Sequence, residues 1–148
     1  MLTPAGILEA LVQSCQGVLP EGTTLLKSGD PADSSPSLTW LEFWIDRLES
    51  PVARRTAAAS QVNLTVTVNC FGRPPATPTQ VQTLAETVRQ HLTSLRLPMT
   101  QDALPMGLVT FQEAEMRDLS RPATQKTASL SQWSLSVRGT FHACPLTH

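Results

Sequence analysis

Nowhere does the sequence hold an apolar run approaching the roughly 18 residues that carry a helix across a bilayer. Its start, Met1-Leu2-Thr3-Pro4, lacks the charged-then-apolar plan of a secretion signal. The chain is therefore expected to be soluble, made in the cytoplasm, and without a membrane partner. An excess of one charge is missing as well: 11 basic residues stand against 12 acidic ones, for a formal net charge of -1. That balance argues against a protein that wraps nucleic acid or coats an anionic membrane. Cysteine is scarce, and its three copies, Cys15, Cys70 and Cys144, are dispersed and odd in number, which excludes a disulfide framework. Cys15 and Cys70 fall in phase with apolar positions and read as small core residues.

The patterns of known chemistry are also absent. There is no Gly-x-Ser-x-Gly, no phosphate-cradling Gly-rich loop followed by Lys-Ser/Thr, and no dinucleotide fingerprint. Catalytic, cofactor and metal residues are accordingly none in this reading. His142, Cys144 and His148 carry metal-ligand side chains close in sequence, but a closed zinc site needs a fourth ligand and no Cys-x-x-Cys partner exists. They read as a fraying tail. His91 reads as a partly exposed helix residue rather than a base. Glu113 and Glu115, on one face of a strand, would sit about 7 Å apart and read as a solvated strand end. Asn63-Leu64-Thr65 matches a glycosylation acceptor, but it lies inside a strand of a chain without a secretion signal.

What is present is hydrophobic periodicity. At 148 residues the chain fits one domain spanning 1-148, large enough to hide about two thirds of its unfolded surface. Ile7, Leu8, Leu11, Val12 and Cys15 recur at helical spacing from about Pro4, with Thr3 as N-cap, Pro4 in the first turn and Gly17 closing the end. A connection from Gly17 to Ser37 follows, with one short extended piece at Thr24 to Lys27. Leu38 to Ile45 is short and rich in aromatics and predicts a strand whose core face is Leu41, Phe43 and Ile45.

The segment from Asp46 to Ser60 reads as a long loop. Gln61 to Cys70 alternates almost without fault and predicts a strand with Val62, Leu64, Val66, Val68 and Cys70 inward. Thr77, Pro78 and Gln80 make a capping box for a second helix, whose stripe Val81, Leu84, Val88, Leu92 and Leu95 ends before Pro98. After a link from Leu97 to Pro105, Gly107 to Arg117 predicts a third strand. A polar, basic loop from Asp118 to Leu130 leads to a fourth, Gln132 to His142, with Trp133, Leu135, Val137 and Phe141 inward.

The expectation is an α+β fold of order α-β-β-α-β-β: a four-stranded, mostly antiparallel sheet with long hairpin loops and two helices on one face. Two features point to an interaction surface. Leu38, Trp40 and Trp44 would form an apolar patch on the outward face of the sheet, and Trp is a favoured interface anchor. The basic loop residues Arg54, Arg55, Arg121 and Lys126 would project from one end of the sheet. A loop folded over the tryptophans and ordinary solvated loop tips are the plainer readings of the same residues.

The N-terminal helix from Thr3-Pro4, the strand Leu38 to Ile45 leading into the alternating Gln61 to Cys70, the helix opening at Pro78 and the closing strand through Phe141 resemble the layout of phage tail terminators, the family of the lambda minor tail protein U. The resemblance spans nearly the whole chain and is one of layout, without a diagnostic motif. It implies a structural virion protein rather than an enzyme, located in the tail-neck region and assembled in the host cytoplasm. It further implies a homo-oligomeric, hexameric ring that caps the tail tube, ends its polymerisation and meets a neck or connector protein, with DNA only as cargo through the lumen. Such a ring needs different patches on the two sides of one subunit. The Trp40/Trp44 patch is a candidate for one of them, and the basic loops are candidates for an acidic tube or neck partner. The alternatives are another neck component, such as a tail-completion or head-to-tail stopper protein, or a small-ligand binding domain; an enzyme comes third.

Overall fold

The computed structural model describes residues 2–27, 38–49, 61–122, 124 and 129–143. Helix α1 covers Pro4–Gln16, with the Thr3 hydroxyl accepting from the Gly6 amide at 3.1 Å and Ile7, Leu8, Leu11 and Cys15 buried. Helix α2 covers Pro78–Leu92 and opens with the full capping box: the Gln80 amide donates to the Thr77 hydroxyl at 3.2 Å, and the Thr77 amide to the Gln80 side chain at 2.8 Å. A cap of this kind contributes about 1 kcal/mol. α2 stops at Leu92, earlier than the apolar stripe suggests. Thr93 is extended and Ser94 turns into the left-handed region at φ 59, which sends Leu95 off the helix axis.

The strands are β1 (Thr24–Lys27), β2 (Thr39–Glu49), β3 (Gln61–Gly72), β4 (Arg96–Gln101), β5 (Leu104–Phe111), β6 (Glu115–Asp118) and β7 (Ser131–Ala143). They form one seven-stranded sheet in the order β1-β2-β3-β7-β5-β4, with β6 also paired to β7. Among the described residues only β1 with β2 pairs in parallel. The α+β architecture and the antiparallel centre are as read from the sequence, but the sheet holds seven strands rather than four. The predicted third strand is broken into β5 and β6 by the 112–114 segment, and both pieces pair with different stretches of β7.

β4 replaces the expected link after α2. It is an edge strand, so Pro98 sits in it without breaking a ladder on both sides, and Leu97 and Met99 point inward. Asp102 and Ala103, at φ 53 and 66, make the tight turn into β5, since two successive positive φ values match the right-handed twist of a hairpin.

β2 runs four residues beyond the predicted end at Ile45. A bulge between Ile45 and Arg47 takes up one extra residue, and Leu48 thereby faces inward opposite Leu64. β3 and β7 pair along their length from Gln61↔His142 to Gly72↔Ser131. Both helices lie on the inward face, α1 against β1, β2 and β4, and α2 against β3, β6 and β7. Because α1 touches strands near both edges of the sheet, the sheet curls around it. The inward-facing buried residues of both helices and of β2, β3, β4, β5 and β7 make one continuous cluster. Among the described residues no helix is long and apolar enough to cross a membrane.

Candidate interaction surface

The face of the sheet turned away from the helices is open. Along β3 it presents Asn63, Thr65, Thr67 and Asn69, and along β7 Ser134, Ser136, Arg138 and Thr140. Period-2 alternation puts these opposite the buried Leu64, Val66, Val68, Leu135 and Val137. Small hydroxyls and amides dominate it, and some bond to one another across strands. The Thr140 hydroxyl donates to the Asn63 carbonyl oxygen at 3.2 Å, and the Thr67 hydroxyl donates to the Asp46 carboxylate. Asn63 of the acceptor-like tripeptide is therefore part of this face.

The two tryptophans of β2 differ in kind. Both point outward, but Trp40 is only 8% exposed, because Phe71 stacks on it at 5.1 Å between centroids and 14° between planes. The Arg73 guanidinium lies over the indole, 4.3 Å from the ring centroid. The expected patch of Leu38, Trp40 and Trp44 is thus corrected: Trp40 is covered by its cross-strand neighbour and a cation, while Leu38 and Trp44 remain 48% and 43% exposed. Trp44 lies just past Phe43, the last residue of β2 that β1 pairs with.

Arg54, Arg55 and Lys126 lie outside the described residues. Arg121 is exposed and held by an isolated bridge to Leu130, with bonds of 2.8 and 3.0 Å. Three residues earlier, Asp118 accepts from the Ser120 amide at 2.9 Å, and the Ser120 hydroxyl and amide bonds hold that carboxyl below its usual range. The two basic loops do not leave from one end of the sheet. β2 ends and β3 begins beside the Gln61↔His142 pair, whereas the loop bearing Arg121 leaves and returns beside Gly72↔Ser131 at the opposite end.

A groove of about 890 Å³ runs along the first turns of α2. Val18, Leu19 and Pro20 of the α1–β1 connection form one wall, Thr79, Thr83, Leu84 and Thr87 the other, and Leu38 the floor. Apolar groups and threonine hydroxyls predominate, and among the described residues Glu21 is its one charged lining residue. No periodic signal marks it, because its walls come from a connection, a helix side and a strand start.

Between the helices, Ser14 Oγ and His91 Nε2 meet at 2.7 Å and tie α1 to α2. Burial lowers the His91 pKa. The folded state therefore holds this proton less tightly than the unfolded chain, where histidine titrates at about 6.5. The stabilising contribution is complete above that value and is lost as pH falls through it toward the lower folded value. The thermal midpoint is expected to drop between neutral and mildly acidic buffer, and His91→Gln to flatten the drop; an equally steep drop in the variant would assign it to other groups.

Cys15 and Cys70 are free and buried, and burial pushes the Cys15 thiol up to about 12 and raises that of Cys70. Neither is a reactive thiolate at neutral pH. Glu113 falls in the break after β5 and Glu115 opens β6, so they do not share an unbroken strand. His142 is exposed on β7, while Cys144 and His148 lie outside the described residues. Among the described residues no three His, Cys, Asp or Glu side chains gather as a metal site.

No family model matches this sequence, and neither does any curated protein. Among solved structures, the chain is similar to a sheath/tube terminator of an extracellular contractile injection system, PVC, in its extended state. The identity is 11% and the TM-score 0.37, over 100% of this chain. The chain spans 62% of that protein's length.

Proposed function

We propose that this chain is a structural tail protein that works by assembly rather than catalysis. Its copies close into a ring, hexameric in the tail-terminator reading, which seats on the last ring of a tail tube, ends polymerisation and offers its far side to a neck or connector protein. The observation that carries this reading is the asymmetry of the subunit's exposed apolar groups. Val18 and Leu38 lie at one end, Leu104 at the other, and Trp44 on the open sheet face. A ring closed by rotation joins unlike patches of successive copies, and unlike patches on different sides are what this arrangement supplies. The hydroxyl- and amide-rich sheet face and the net charge of -1 also suit a ring through which DNA passes without being held.

The groove along α2 favours a second reading, a small-ligand binder, since its volume of about 890 Å³ lies within the usual range for such sites. Light scattering over a concentration series, with negative-stain images of the same sample and of tail tubes mixed with it, separates the two. Closed rings of about six copies, free or seated at one end of the tubes, are expected. A fixed dimer that leaves tube growth unchanged would overturn the assembly reading.

A further inference from the structure

The described residues expose four large apolar side chains, Val18, Leu38, Trp44 and Leu104. Three of them fall into two places of opposite shape. Val18 and Leu38 line the groove beside α2, and Leu104, at 69% the most exposed of the four, stands at the tip of the β4–β5 hairpin. That tip is tightly turned, with Asp102 and Ala103 at positive φ, so Leu104 and Pro105 are presented on a short, defined backbone. β5 pairs with β7 only from Gly107↔Ala143 onward. Leu104 therefore lies three residues, about 10 Å, beyond that rung.

The groove lies at the other end of the sheet. Thr39, one of its lining residues, pairs with Gly72, and Gly72 with Ser131, at the end of β7 farthest from Ala143. Knob and groove are thus on opposite ends of one subunit and cannot meet within it. They can meet between two copies.

We propose that the Leu104 hairpin tip of one copy seats in the groove between the α1–β1 connection and α2 of the next. The proposal rests on the reading that copies of this chain assemble head to tail, and it names the two surfaces that join. One contact of this kind covers three of the four exposed large apolar side chains, and it leaves an unused knob and an unused groove on each pair, so it propagates until a ring closes. The groove's threonine hydroxyls suit the polar backbone of a hairpin turn, and its volume of about 890 Å³ exceeds what a leucine and its neighbours fill. A single knob in a groove is small beside the roughly 800 Å² per partner of a stable interface. The isolated pair is therefore weak, and the full ring or the tube supplies the avidity.

Paramagnetic broadening detects such a weak contact. Unlabelled chain carrying a nitroxide at Thr100→Cys, in a Cys144→Ser background, is mixed with nitrogen-15-labelled chain. Thr100 is exposed and pairs with Pro105 beside the tip, while the buried Cys15 and Cys70 thiols escape the label. The expected result is loss of the amide signals of Val18, Thr23, Leu38 and Thr83, and their recovery when Leu104→Asp is added to the nitroxide-bearing chain, whose tip is the one that enters the observed groove.

Intact groove signals, losses centred instead on the open face of β3 and β7, or losses unchanged by Leu104→Asp would each overturn the proposal. The tube experiment keeps the two readings apart. Capping that survives Leu104→Asp would overturn this contact and leave the capping function standing, whereas groove losses in a chain that never caps tubes would do the reverse.

Discussion

Replacing Phe111 with Ala is expected to lower the unfolding free energy by about 3–5 kcal/mol, read as a fall in the urea midpoint at unchanged slope. The reason lies in how the ring is seated. Phe111 is 2% exposed at the last position of β5, directly across from Gly139 of β7, which in turn lies opposite Leu64 of β3. A Cβ placed on Gly139 would come within 2.8 Å of Phe111 Cδ1 and 2.9 Å of Cε1, so the ring occupies the space a side chain would otherwise take. The glycine has nothing with which to refill that volume once the ring is gone. The cavity therefore stays open, and the cost belongs at the upper end for large-to-small changes. Against a total of about 5–15 kcal/mol for a domain, that is a large share. The reciprocal change, Gly139→Ala, forces the ring aside and is expected to cost about 1–3 kcal/mol. A Phe111→Ala loss below about 1 kcal/mol would mean that β5 and the 112–114 break repack freely over Gly139.

That pair also marks where sequence reading succeeds and where it stops. Val66, Val68 and Cys70 are buried as their alternation requires, and the Thr77–Gln80 box forms as its spacing predicts, because both signals are local and period-bound. The edge strand β4 was hidden by Pro98, which argues against a central strand but is harmless where only one side of the ladder is paired. The extension of β2 past Ile45 was hidden by the bulge, since one inserted residue breaks the alternation that a strand is recognised by. β5 and β6 read as one strand for the converse reason: the 112–114 break contains no Gly or Pro to announce itself.

The surface was legible in its parts and not in its arrangement. Trp40 and Trp44 both face outward as their spacing demands, but the cover on Trp40 comes from Phe71 on the neighbouring strand, a pairing set by register. The groove and the Leu104 tip leave no mark in the sequence. An isolated Leu after a turn carries no periodic signal, and its exposure follows only from how far the hairpin outruns β7.

The two tryptophans are expected to separate stability from assembly. Trp40→Ala removes the stack on Phe71 and the ring under the Arg73 guanidinium. For a side chain 8% exposed, the expected cost is about 3–5 kcal/mol, of which the aromatic pair and the cation contribute about 1–2 kcal/mol beyond area burial. Trp44→Ser acts on a side chain already 43% in water, so its effect on the urea midpoint is expected to stay within about 0.5 kcal/mol. Its effect on assembly is the discriminating quantity. Trp44 stands on the outward sheet face just past Phe43, the last residue of β2 in the described β1 pairing, and an indole there is worth burying only against a partner. Trp44→Ser is expected to abolish ring or tube-end particles in negative stain while the monomer stays folded. A double Trp40, Trp44 variant could not show this, because the loss of Trp40 alone would remove rings by unfolding the subunit. If Trp44→Ser chains still cap tubes as the parent does, the open face of the sheet is solvent-facing in the assembly, and the contacts that close the ring lie at the two ends of the subunit alone.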